Sequence, residues 1–167
     1  MNKYHHFQCR VCLAWDREDR EIYTISEPSH AYALVKDELV SSDRERFLSI
    51  LLTTSNTVIG IETISIGSIS TCPISPGQLF KSALLANARS VILCHNHPSG
   101  SLESSKEDME ITERIVTAGS ILDIEVVDHI IIAENGFISL REMNRLHAPG
   151  TSLLASRRYR KHTYKGG

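Results

Sequence analysis

Two apolar runs in this chain, RFLSILLT (46–53) and SVILCH (90–95), are the right length for buried strands and short for helices. Between and around them lie stretches of a different kind. Ser29–Val40 (SHAYALVKDELV) follows Pro28, and its apolar positions Ala33, Leu34 and Leu39, with Tyr32 and Val35 beside them, suggest a helix. Pro76–Ala88 reads as a helix with Ser75 as N-cap and Pro76 at the first helical position. Its expected buried stripe is Leu79, Phe80, Ala83, Leu84 and Ala88. Lys106–Gly119 reads as a third helix, with Gly119 near its end. Thr57–Ile66 is rich in β-branched residues and follows the turn residues Ser55-Asn56, so it should pair with 46–53 as a hairpin. Ile124–Ala133 is a further strand, and Asn135-Gly136 is a turn signal that returns Phe137–Leu140 against it. Strands mixed with helices in this order predict an α/β or mixed α+β fold on a mixed sheet.

Composition narrows the class. The chain has 167 residues, 41% hydrophobic and 23% charged, enough for one ordinary domain with short extensions. No stretch approaches the roughly 20 apolar residues of a spanning helix, so no membrane role is expected. The N-terminal MNKYHHFQCRVCLAWDRED lacks the apolar core of a signal peptide, and four irregularly spaced cysteines suit a reducing compartment, so a cytoplasmic location is expected. The net charge of -2 hides an asymmetry: residues 141–167 hold seven Lys/Arg and one acid, Glu142, leaving an acidic body that repels a phosphate backbone. Only the basic tail, with Tyr159 and Tyr164 interleaved, could bind nucleic acid, weakly and without sequence preference, and it equally suits a solvated terminus.

The segment that carries chemistry is HNHPSGSLESSKEDMEIT, residues 95–112. His95 and His97 stand two apart at the end of a strand, so both imidazoles point to one side. A Pro/Gly/Ser loop turns the chain, and a helix starting near Ser105 brings Asp108, in its first turn, back toward them. Two imidazoles and one carboxylate form a catalytic zinc ligand set with a fourth position left for water. Each piece also has an ordinary explanation. Strand-end histidines often only hydrogen-bond, Ser105-x-x-Asp108 resembles a capping box, and first-turn acids answer the helix dipole.

His95-x-His97, seven residues, then Ser105-x-x-Asp108 resembles the JAMM signature of MPN+ metalloproteases, and VILCHNHPSG with DHIIIAENGFISLRE is similar to the RadC branch. The resemblance runs from about Ser29 to Glu142, dividing the chain into an extension (1–28), the RadC-like domain (29–142) and a basic tail (143–167). It implies a JAMM/MPN fold, a curved mixed sheet packed with helices, similar to cytidine deaminases. It implies Zn2+ held by His95, His97 and Asp108, with Ser105 donating a hydrogen bond that stabilises a tetrahedral intermediate. It also implies an upstream glutamate that takes a proton from water and passes it to the leaving nitrogen. Glu45, just before the first apolar strand, holds that place in the family order; Glu62 on the next strand is the competitor, and an exposed charge in the run DRER is the plain alternative for Glu45. The function implied is zinc-dependent cleavage of a peptide or isopeptide bond in a protein or peptide substrate. Longer RadC proteins usually carry a helix-hairpin-helix region expected to bind DNA; this sequence resembles the short stand-alone form often found in mobile elements. The alternative is therefore an accessory protein of DNA repair or mobile-element maintenance, with a structural metal.

Other features carry less. Cys9-x-x-Cys12 with His5 and His6 is half a zinc knuckle without a second CxxC, so ordinary thiols are expected. Cys94 reads as a small core residue, and His129, after Asp128, as a core or rim histidine outside the metal set. A zinc deaminase needs H-x-E before a later P-C-x-x-C, and here His97 takes the Glu position while the CxxC precedes the histidines. The contiguous letters His-Asn-His do not make an HNH nuclease, whose residues are dispersed over a motif. No feature specifies an oligomeric state.

Overall fold

The structure is a computed structural model that describes residues 22–67 and 74–147. The elements run α1 (Pro28–Val40), β1 (Arg46–Leu52), β2 (Val58–Ile66), α2 (Pro76–Leu85), β3 (Ser90–Asn96), α3 (Lys106–Ile121), β4 (Glu125–Ala133) and β5 (Gly136–Ser139). The five strands form one sheet in the order β2-β1-β3-β4-β5. β1 pairs antiparallel with β2 and with β3, β3 runs parallel to β4, and β5 closes antiparallel on β4. Every residue of β3, and all of β1 after Arg46, is buried, which is why those runs show almost no polar alternation.

Helices cover both faces. Ala31, Val35 and Leu39 of α1 pack on Leu48, Ile50, Leu52, Ile92, Cys94, Ile130 and Ile132. Leu79, Phe80 and Ala83 of α2, with Ile111 and Ile115 of α3, pack on Phe47, Leu51, Ile64, Val91 and Leu93. Alternation along β1 thus sends even-numbered residues to the α1 core and odd-numbered residues to the α2/α3 core.

Three local expectations change. The buried stripe of α1 is Ala31, Val35 and Leu39, whereas Ala33 is exposed. In α2, Leu84 is 51% exposed and Ser82 is buried in its stead. Gly119 does not end α3, which runs to Ile121 and is capped by Leu122. A Cβ at Gly119 would meet the Ile124 carbonyl oxygen at 2.5 Å and Phe80 Cζ at 3.0 Å, so glycine serves close packing rather than termination. The Asn-Gly signal does mark the β4–β5 turn, whose residues are Glu134 and Asn135, with Gly136 beginning β5.

Candidate metal centre

The site forms where the start of β1, the end of β3 and the start of α3 meet. His95 is the penultimate residue of β3 and His97 follows its end. Asp108 is the third residue of α3, behind the N-cap Ser105. Ser105 Oγ accepts from Asp108 N at 3.0 Å and Asp108 Oδ2 accepts from Ser105 N at 2.7 Å, a complete capping box. The capping explanation therefore holds, and the same cap fixes the carboxylate that faces both histidines. Asp108 Oδ1 lies 3.1 Å from His95 Nε2, and Oδ2 lies 3.3 Å from His97 Nε2. The two Nε2 atoms are 2.9 Å apart.

Glu45 precedes β1, and its carboxylate completes a group of four donors lying within 4.8 Å of one another: Glu45, His95, His97 and Asp108. The ion pairs of this group run between Asp108 and the two histidines; Glu45 stands off and makes none. Asn96, between the histidines and missed in the sequence, holds Glu45 in place. Its Oδ1 accepts from Arg46 N at 2.7 Å, and its Nδ2 donates to Arg44 O at 3.0 Å, so one buried amide pins both flanks of Glu45. Glu62 is elsewhere: it is half-buried and accepts a hydrogen bond from Ser82 of α2. Ser105 caps α3, its hydroxyl oxygen accepting from Asp108 N.

The imidazoles are oriented from behind. His97 Nδ1 faces the carbonyl of Ser101 at 2.9 Å, and a carbonyl only accepts, so Nδ1 carries a proton and Nε2 is the atom turned toward Asp108 and His95. His95 Nδ1 faces His129 Nε2 at 2.7 Å, and Phe47 stacks on the His95 ring with centroids 5.7 Å apart. His129 is a buried, satisfied core histidine outside the four-donor group, as expected, and its ring backs His95 directly. Asp128 does not orient that ring: its carboxylate accepts from the His129 backbone N–H, Ser139 Oγ and Arg141 N, and fixes the β4–β5 end of the sheet.

The charges follow from these contacts. Burial pushes the Asp108 carboxyl up, but its close contacts with the His95 and His97 rings outweigh it and hold it well below the usual carboxylate range. The hydrogen bond to Asp108 raises His97 against the opposing effect of burial. Burial drives His129 well below its ordinary value, which keeps it neutral. Cys94 is pushed far up by burial, with the Asp128 charge adding to the shift, as suits an inert core thiol.

The donors fit a metal ion. A tetrahedral site with ligand bonds of 2.0–2.2 Å has edges of about 3.3 Å, close to the separations found here. Two imidazole nitrogens 2.9 Å apart beside a buried carboxylate call for a cation or a proton between them. Cys9 and Cys12 and the basic tail beyond residue 147 lie outside the described residues.

A family model for the RadC-like JAB domain matches residues 25–146. The chain belongs to that family. This RadC-like JAB domain is 45% identical over 122 residues to a UPF0758 protein of Rubrobacter xylanophilus, covering 73% of this chain and 53% of that protein. A UPF0758 protein of Caldanaerobacter subterraneus subsp. tengcongensis is 43% identical over 122 residues (73% and 52%), and one of Desulforamulus reducens 47% over 114 residues (68% and 50%). The chain spans about half the length of the curated relatives it matches. The mixed five-stranded sheet with three helices is consistent with a JAB/MPN fold. Among the described residues no helix is long and apolar enough to cross a membrane.

Proposed function

We propose that this RadC-like JAB domain is a zinc-dependent hydrolase that cleaves a peptide or isopeptide bond. The observation that carries the reading is the unequal geometry of the four donors. Three sit at ligand spacing, while Glu45 stands within 4.8 Å without an ion pair to either histidine. A structural zinc site is closed by four ligands, whereas a catalytic one has three and an open position. His95, His97 and Asp108 would hold the ion. When bound, zinc supplies Lewis acidity, lowering the pKa of water toward 7 and polarising a carbonyl. Glu45 stands at a distance suited to acting through one water, where it accepts a proton and returns it to the departing nitrogen. Ser105 donates its O–H toward the developing oxyanion, its oxygen already engaged by the cap. The donor chemistry of two imidazoles and a carboxylate suits zinc, and the substrate class rests on the family. A DNA-repair accessory role with a structural metal would require a fourth ligand drawn into contact.

The decisive experiment is metal analysis of the purified protein, followed by a panel of peptide and isopeptide substrates with and without chelator. One zinc per chain and chelator-sensitive cleavage are expected. Glu45→Gln should keep its zinc while losing about 10²–10⁴-fold in turnover. Full activity in Glu45→Gln, or full zinc occupancy in the His95→Ala/His97→Ala double variant, would overturn the reading, the latter pointing to Cys9 and Cys12.

A further inference from the structure

We propose that Thr112 and His129 form a positioning relay that locks His95 in the tautomer able to ligate metal through Nε2. The inference rests on the metal reading above and extends it to two residues outside the ligand set. A buried imidazole that backs another imidazole is ambiguous, because either ring can carry the shared proton. The ambiguity is resolved one bond further back. His129 Nδ1 lies 2.6 Å from Thr112 Oγ1, and Thr112 Oγ1 lies 2.5 Å from the backbone carbonyl of Asp108. A carbonyl oxygen can only accept, so the single hydroxyl proton of Thr112 goes to Asp108 O. Toward His129 the threonine oxygen can then only accept, and His129 must carry its proton on Nδ1. A buried His129 with its one proton on Nδ1 turns a bare Nε2 to His95 and accepts from His95 Nδ1–H. His95 Nε2 is left with its lone pair directed at Asp108 Oδ1 and His97 Nε2.

Reversing the chain reverses the ligand. If Thr112 donated to His129, then His129 Nε2–H would donate to His95, and His95 Nε2 would be protonated and unable to bind metal. The helix backbone thus selects the ligating state of a strand residue. It does so from within the first turns of the same helix that delivers Asp108. Phe47 walls both rings, with centroids 5.7 Å from His95 and 5.3 Å from His129, and keeps water from competing for the shared hydrogen bond.

The relay makes predictions that simple packing does not. Phenylalanine at 129 fills the apolar space but accepts no hydrogen bond; glutamine fills it less well but can accept from His95. In full-length protein titrated with Zn2+ against a competing chelator, His129→Phe should weaken zinc binding about 10–100-fold, and His129→Gln should recover most of that loss. Thr112→Val should weaken zinc binding less, and Thr112→Ser should restore it. Nitrogen-15 imidazole spectra of zinc-loaded wild-type protein should show protons on Nδ1 of both His95 and His129 and a bare Nε2 on His129. This measurement decides the matter even where a variant does not fold. A proton on His129 Nε2, or zinc bound as tightly by His129→Phe as by wild type, would overturn the relay. His95→Ala separates the two claims: if it loses zinc while His129→Phe keeps it, the relay fails and the metal site stands. If His95→Ala keeps zinc, the metal reading itself fails.

Discussion

Asn96 does for Glu45 what the capping box does for Asp108. Asn96 fixes the backbone on both sides of Glu45, while the capping box fixes the Asp108 carboxylate itself. Asn96 is 3% exposed and is held at both ends, by Arg46 N and Arg44 O. Asn96→Leu would keep the bulk and orphan a backbone donor and a backbone acceptor beside Glu45. Stability should fall by about 1–3 kcal/mol. Zinc content should stay near one per chain, because His95, His97 and Asp108 are untouched. Turnover should fall by up to about 10²-fold, the scale of loss expected when a reacting group is misplaced by an ångström. Zinc content and initial rates on the same preparation check this, and a parallel loss of both would show that Asn96 supports the ligands rather than Glu45. The sequence pointed to Glu45 only through family order. Its position beside the other donors depends on β1 pairing with β3, where Phe47 lies opposite His95.

At the scale of elements, α3 shows how one helix is set by opposite demands at its ends. Its start is written in local sequence, with Ser105 and Asp108 satisfying each other's backbone N–H groups. Its end is not, because Gly119 looks like a terminator and is an interior packing position. Alanine is a better helix former than glycine by about 1 kcal/mol, so helix propensity alone would make Gly119→Ala stabilising. Here a methyl group meets a backbone carbonyl at 2.5 Å, and backbone cannot swing aside as a side chain can. Overpacking of this kind costs about 1–3 kcal/mol, so the net effect should be destabilisation. Urea unfolding of the metal-free protein measures it, and a raised midpoint would mean that the α3–β4 junction gives way easily. The same tertiary override moves the buried stripe of α1, because contact with the sheet selects Ala31 over Ala33.

For the whole molecule, the candidate metal group ties the lead into β1 to a segment far along the chain, the end of β3 and the start of α3. Zinc that binds only the folded chain should stabilise it by mass action, by about 4 kcal/mol at a thousandfold excess over Kd. Chelator should therefore lower Tm by several degrees in wild type and leave Tm unchanged in Asp108→Ala. An equal chelator effect in both would place the stabilising metal elsewhere. The sequence by itself determined the element types and the candidate ligand pattern: His95 and His97 share a side because a strand repeats every two residues, and Asp108 returns because a capped helix follows a short loop. These are local constraints, carried by residues within one turn or one strand of each other. Only the tertiary structure decided that Glu45 rather than Glu62 joins the histidines, that Asn96 pins it, and that Thr112 and His129 stand behind His95. Those relations depend on strand order and register, β1 beside β3 and β3 beside β4, and on α3 lying over the sheet. Strand pairing between distant segments is set by burial of the whole core, and no local period records it.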